Sequence, residues 1–179
     1  MANNTQNLIL EAFERMLERM PLDKITVTAL IKESNIGRST FYYQYADIYA
    51  LLDDWLIEKM ERLEGMSSSE SWEDMLKTVL SFCRENKNLV DHINDSLSRD
   101  RLEYYTFVKT ESLISDYVRR IGEEKHADPE RTQIVAEIIR YAAYGYFLRF
   151  LRNGMKDDTE KGISNLSVVF NKMLEKLLD

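Results

Sequence analysis

Hydrophobic positions recur every three or four residues along almost the whole chain, and that period predicts helices. Ile9, Ala12, Phe13, Met16, Leu17 and Met20 form one stripe of a first helix over about Thr5 to Met20, with Glu11, Glu14, Arg15, Glu18 and Arg19 largely off it. Pro21 stops this helix, because proline lacks an amide hydrogen and turns the preceding residue away from helical angles. The spacing then predicts two short helices within Thr26–Tyr45, TVTALIKESNIGRSTFYYQY. Val27, Leu30 and Ile31 mark the first, Asn35 breaks the pattern where the chain reverses, Ile36 plugs the joint, and Gly37 opens the second. With Phe41 and Tyr45 inward, steps of about 100° put Ser39 and Tyr43 on the opposite side, flanked by Thr40 and Tyr42.

Further along, Asp47 caps a helix from Ile48 to about Leu63 with Leu51, Leu52, Trp55, Leu56 and Met60 inward. Gly65–Ser71 (GMSSSES) reads as a loop, and Ser71 with Asp74 as a loose capping box for a helix from Trp72 to Arg84. A short helix carries Leu89, Val90, Ile93 and Leu97. Asp100 with Glu103 predicts a long helix to about Ile121, with Leu102, Tyr105, Phe107, Val108, Leu113, Ile114, Tyr117 and Val118 as its apolar positions and Gly122 as its end. Asp128 and Pro129 start the most apolar helix, which runs to Asn153 and Gly154. A final helix, about Thr159 to Leu178, carries Ile163, Leu166, Val169, Phe170, Met173, Leu174 and Leu177. The fold class is therefore all-α, with a three-helix helix-turn-helix domain over 1–46 and a larger helical domain over 47–179, whose first helix, 47–63, connects the two.

Composition agrees with this and narrows the function. The chain has 179 residues, 44% of them hydrophobic, with two prolines and six glycines, enough for a sizeable helical core. One cysteine rules out an intramolecular disulfide framework and a cysteine-based zinc site. With no basic leader before an apolar core and no run long enough to span a bilayer, the expectation is a cytoplasmic protein with no membrane association. A net charge of -7 weighs against bulk electrostatic coating of nucleic acid. Locally the balance differs, since Lys32 and Arg38 lie in the helix-turn-helix and Glu33 is its only acid.

From pattern alone, the helix after Gly37 is either a short amphipathic helix with exposed aromatics or a DNA-reading one. The order of an amphipathic helix followed by PLDKITVTALIKESNIGRSTFYYQYADIYALL resembles the N-terminal DNA-binding domain of the TetR family of bacterial transcriptional regulators. The residues that carry the resemblance are Thr26 and Val27 at the start of the second helix, Asn35 and Ile36 at the turn, Thr40, Phe41 and Tyr42 in the recognition helix, and Tyr45 at its close. The match spans about a third of the chain. Ser39 stands where many members have glycine, and Ile48 where many have a phosphate-binding lysine.

The resemblance implies a homodimer that reads a double-stranded DNA operator. Arg38, Tyr42, Tyr43 and Gln44 are the main expected contacts, alongside Ser39 and Thr40. Arg38 suits guanine or phosphate, Gln44 adenine or phosphate, and the tyrosine hydroxyls phosphate. Lys24, Thr26 and Thr28 are expected on the backbone. A repressor released by a small-molecule effector is the expected mode, and a TetR-like coactivator that meets protein instead of DNA is the alternative.

For the larger domain, Phe82, His92, Tyr105, Tyr117, Tyr141 and Tyr144 are candidates to line an effector pocket, each with core packing as the competing role. The two apolar C-terminal helices suit a four-helix bundle between subunits, with Ile138, Ala142, Gly145, Leu148, Leu166, Phe170 and Met173 at the interface. His92 and His126 have no metal-ligand spacing, and the paired acids Asp53/Asp54 and Asp157/Asp158 read as solvated or capping groups. No nucleophile and base pattern or phosphate-cradling loop points to an enzyme, and no cofactor or metal is expected.

Overall fold

A computed structural model describes residues 2–66, 71–105 and 111–178, with the side chains of all but 2–4, 64–66 and 111–113. The described residues are helical with no strand. The helices are α1 (Ala2–Arg19), α2 (Val27–Glu33), α3 (Arg38–Gln44), α4 (Ile48–Met66), α5 (Trp72–Glu85), α6 (Lys87–Asn94), α7 (Arg99–Glu103), α8 (Glu111–Glu124), α9 (Pro129–Arg152) and α10 (Thr159–Leu177). Contacts divide them into two compact units, 1–62 with 86–98, and 63–85 with 99–179.

In the first unit the stripe of α1 is buried as its spacing requires: Ile9, Ala12, Phe13, Met16 and Leu17 are at most 3% exposed. Leu30 of α2, Phe41 of α3 and Leu51, Leu52 and Trp55 of α4 close on it, with the Phe13 and Trp55 rings edge to face at 6.4 Å. α4 thus supplies part of this unit's core. The short helix α6 also belongs here: Leu89 is buried, and His92 Nδ1 lies 2.6 Å from the Leu17 carbonyl on α1. A carbonyl only accepts, so that nitrogen carries the proton. His92 is thus a satisfied histidine of the N-terminal unit.

The turn between α2 and α3 is built by Asn35, whose φ of 53° is left-handed. Ile36 N–H reaches back to the Ile31 carbonyl at 3.1 Å and Asn35 N–H to that of Lys32 at 3.4 Å, the double bond of a Schellman terminus. At the other end of α2, Thr26 Oγ1 accepts from Ala29 N–H at 3.2 Å. Asp47 caps α4 by accepting from the amides of Tyr49 and Ala50.

The second unit has its core where α5, α8, α9 and α10 meet: Trp72, Val118, Val135, Ile139, Phe170 and Leu174 are buried together. Ser71 Oγ accepts from Asp74 N–H, and Asp128 and Asp158 cap α9 and α10. One expectation changes here. Asp100 lies inside α7, which begins at Arg99. The middle of the predicted 100–121 helix, including Phe107 and Val108, falls outside the described residues, as do the Leu113 side chain and most of the predicted 65–71 loop.

Gly122 does not end α8. The helix continues to Glu124 and terminates through His126 at φ 55°, with Ala127 N–H on the Gly122 carbonyl at 2.9 Å. Gly122 serves a close approach instead, because a β-carbon there would sit 2.7 Å from Thr132 on α9.

Candidate nucleic-acid interface

The helix α3 is seven residues long, and burial divides it cleanly. Phe41 within it and Tyr45 just after it are buried, which turns Arg38, Ser39, Tyr42 and Tyr43 to solvent. Tyr43 is 87% exposed and Tyr42 47%, so α3 presents two large aromatics that the core does not use. Thr40 and Gln44 are half-buried at the edges of this face. Tyr42 is held from both sides: its ring stands edge-on to Phe41 at 5.4 Å, and the Arg38 guanidinium lies 5.5 Å over its face, with Nη2 3.4 Å from the Tyr42 hydroxyl.

Charge is arranged to suit an anion. Glu33 is the one acid between Lys24 and Tyr45, and it faces Arg19 at 2.8 Å and Arg15 at 3.5 Å from α1. The hydrogen bond from Arg19 holds its carboxyl below the ordinary range. That exposed pairing offsets the acid's charge with two arginines of α1. Lys32 and Arg38 are exposed, whereas Lys24 is paired with Asp23 at 3.0 Å. Thr26 and Thr28 are exposed at the first turn of α2, and the Thr26 hydroxyl already accepts a capping bond, leaving its own hydrogen to donate.

The residues that fix this face were not legible as functional. Asp54 of α4 is half-buried, not a solvated acid: its Oδ2 accepts from the Tyr45 hydroxyl at 2.5 Å and from Gln6 Nε2 of α1 at 2.8 Å. Burial first, then the Asp54 carboxylate, pushes the Tyr45 phenol well above its ordinary pKa. Beside them Lys59, 7% exposed, bonds Glu14 of α1 at 2.7 Å. The end of α3 is therefore tied through α4 to α1. Only the place of Asp54 beside the buried Trp55 hinted at it.

Elsewhere the predicted sites separate. Of the pocket candidates, His92 lies in the first unit and the other five in the second. Tyr105 is buried, Phe82, Tyr117 and Tyr144 are half-buried, and Tyr141 is 59% exposed. On α9, Ile134, Ile138 and Tyr141 form an exposed apolar stripe with Gly145 open beside it, and Val168, Val169 and Leu177 are exposed on α10. Ala142, Leu148, Leu166 and Met173 are half-buried at the margins. Phe170 is different: it is 2% exposed, with its ring 5.0 Å from Trp72 inside the subunit. Among the described residues no helix is long and apolar enough to cross a membrane, and no cluster of three or more histidine, cysteine or acidic residues is placed to hold a metal.

Residues 70–172 match a TetR-type family described as "Transcriptional regulator C-terminal region". Over 126 residues, 69% of this chain, the sequence is 24% identical to the HTH-type dhaKLM operon transcriptional activator DhaS of Lactococcus lactis subsp. lactis (strain IL1403). That alignment spans 65% of the relative's length. Among solved structures, the dihydroxyacetone kinase operon activator DhaS superposes with a TM-score of 0.66 at 19% identity, covering 96% of each chain. NalD, described as the secondary repressor of the MexAB-OprM multidrug efflux pump in Pseudomonas aeruginosa, does so with 0.53 at 16% identity, covering 96% of this chain and 97% of its own. The likeness to the two structures concerns the fold, and the family match extends over more than half the sequence: the chain belongs to the TetR family of transcriptional regulators.

Proposed function

We propose that this regulator binds a specific operator as a homodimer in the cytoplasm and acts as a repressor released by a small molecule held in its C-terminal unit. The observation that carries the reading is the outer face of α3, where Arg38, Ser39, Tyr42 and Tyr43 are exposed with no acid among them. Such a helix enters the major groove, the tyrosine hydroxyls holding phosphates while Arg38 reaches a base edge or a phosphate. Lys24, Thr26 and Thr28 support it on the backbone, and Thr40 and Gln44 border the contact.

Dimerisation is supported by the exposed apolar residues of α9 and α10, which include Ile138 and Val169. One weakly basic module is a poor operator binder by itself, so two recognition helices spaced by the dimer supply the affinity. Effector binding that alters this spacing needs only about 1–3 kcal/mol of coupling to change occupancy several-fold or more.

The test is an electrophoretic shift with the region upstream of the protein's own gene, at stated salt. Specific retention should fall by about tenfold or more for Arg38→Ala and Tyr42→Ala, both on exposed positions that leave the fold intact. Absence of any specific fragment in a genomic selection would favour the second reading, a protein-binding coactivator. The chain's charge of -7 and Ile48 in place of a basic residue favour that alternative.

A further inference from the structure

Between α8 and the first half of α9 lies an open crevice of about 570 Å³. None of the six predicted pocket residues lines it. On α8 its wall is one helical face, Ser115, Arg119 and Glu123, each one turn from the next. Opposite stand Thr132 and Gln133 of α9. Between them lie the small Gly122, Ala127, Pro129 and Ala136, with the His126 imidazole at the α8 end of the lining.

The inner end holds an unmet polar group. Ser115 is 9% exposed, and its hydroxyl has no hydrogen-bond partner among the described residues although it lines the crevice. A buried hydroxyl left unpaired is destabilising, and a helical serine usually bonds the carbonyl one turn back. The other polar groups are only partly used. Arg119 meets Asp116 at 2.9 Å, but both are 61% exposed, so the pair is weak and the guanidinium keeps further donors. Gln133 donates Nε2 to Glu137 at 3.2 Å, which leaves its amide oxygen to accept.

We propose that this crevice binds a small aliphatic α-amino acid in its zwitterionic form. A simple anion attracted by Arg119 meets Glu123 and Asp116, and a simple cation attracted by Glu123 meets Arg119. A molecule carrying both charges satisfies both charged groups of the α8 wall: its carboxylate takes the Arg119 guanidinium on the side of Ser115, and its ammonium takes Glu123 with the Gln133 amide oxygen opposite. A short apolar side chain fits beside the small glycine, alanine and proline residues. Successive 100° steps set Pro129, Thr132, Gln133 and Ala136 roughly 150° around α9 from Ile134, Ile138 and Tyr141, so a partner subunit on that apolar stripe leaves the crevice open.

Titration calorimetry on the full chain tests this with three probes: L-valine, 3-methylbutanoate, which lacks the ammonium, and 2-methylpropylamine, which lacks the carboxylate. L-valine should bind saturably, and each single-charge probe about tenfold or more weaker. Arg119→Gln and Glu123→Gln should each weaken L-valine by a similar factor, with helical content and thermal midpoint held as checks that these exposed positions do not disturb the fold. Three results overturn the proposal: no saturable heat with L-valine up to about 10 mM, equal binding of 3-methylbutanoate, or L-valine affinity unchanged in both variants. The titration contains no DNA, so its failure leaves the operator reading standing, and a failed operator assay leaves the crevice standing.

Discussion

Replacing Tyr45 by phenylalanine removes one oxygen and nothing else, at the point where the end of α3 is tied to α4. Tyr45 is 6% exposed and its ring keeps its contact with Phe41 at 5.8 Å, so packing survives the change. What is lost is the hydrogen bond to the Asp54 carboxylate at 2.5 Å. A hydrogen bond to a charged group contributes about 1.5–3 kcal/mol. Asp54 is half-buried and keeps Gln6 at 2.8 Å, so the lower end applies, about 1.5–2 kcal/mol. Urea unfolding should show a lower midpoint with an unchanged slope, because the surface exposed on unfolding is the same.

The pH dependence supplies a second readout with a fixed sign. The folded phenol titrates above its unfolded value of about 10, so its contribution is fully present below that pH and is lost as pH rises through the folded pKa. Wild type should therefore lose stability more steeply than Tyr45→Phe above about pH 10, and the two curves should converge. Equal midpoints at neutral pH together with parallel curves in alkali would refute the tie between α3 and α4.

Four further outcomes follow from burial and packing. Val169→Glu should convert a dimer to a folded monomer in light scattering and abolish operator binding, whereas Phe170→Glu, which buries a charge against Trp72, should unfold the second unit by circular dichroism. Gly122→Ala forces a β-carbon to 2.7 Å from Thr132 and should destabilise by about 1–3 kcal/mol in urea, with Thr132→Ala restoring much of the loss. Cys83 is buried, which pushes its thiol up to about 12, so it should resist a thiol reagent at pH 8 until denaturant is added.

Local signals in the sequence determined the helices and the divided character of α3. Apolar period, proline, and capping aspartates and serines act within a few residues, so Asp47, Asp128 and Asp158 cap where they stand and Phe41 faces inward as its spacing requires. The resemblance read from the sequence was carried by the same short-range residues, from Thr26 to Tyr45, whereas the family match lies over 70–172. Tertiary structure decided whatever depends on which helix lies opposite. Asp54 read as a solvated acid until α1 and Tyr45 closed around it, and Gly122 read as a helix end until Thr132 filled the space beside it. Phe170 and Val169 are neighbours on one apolar helix, and only the packing of Trp72 settles that the first belongs to the subunit's core while the second stays exposed. A helical period states that a face is apolar; it does not contain the identity of the surface that covers it.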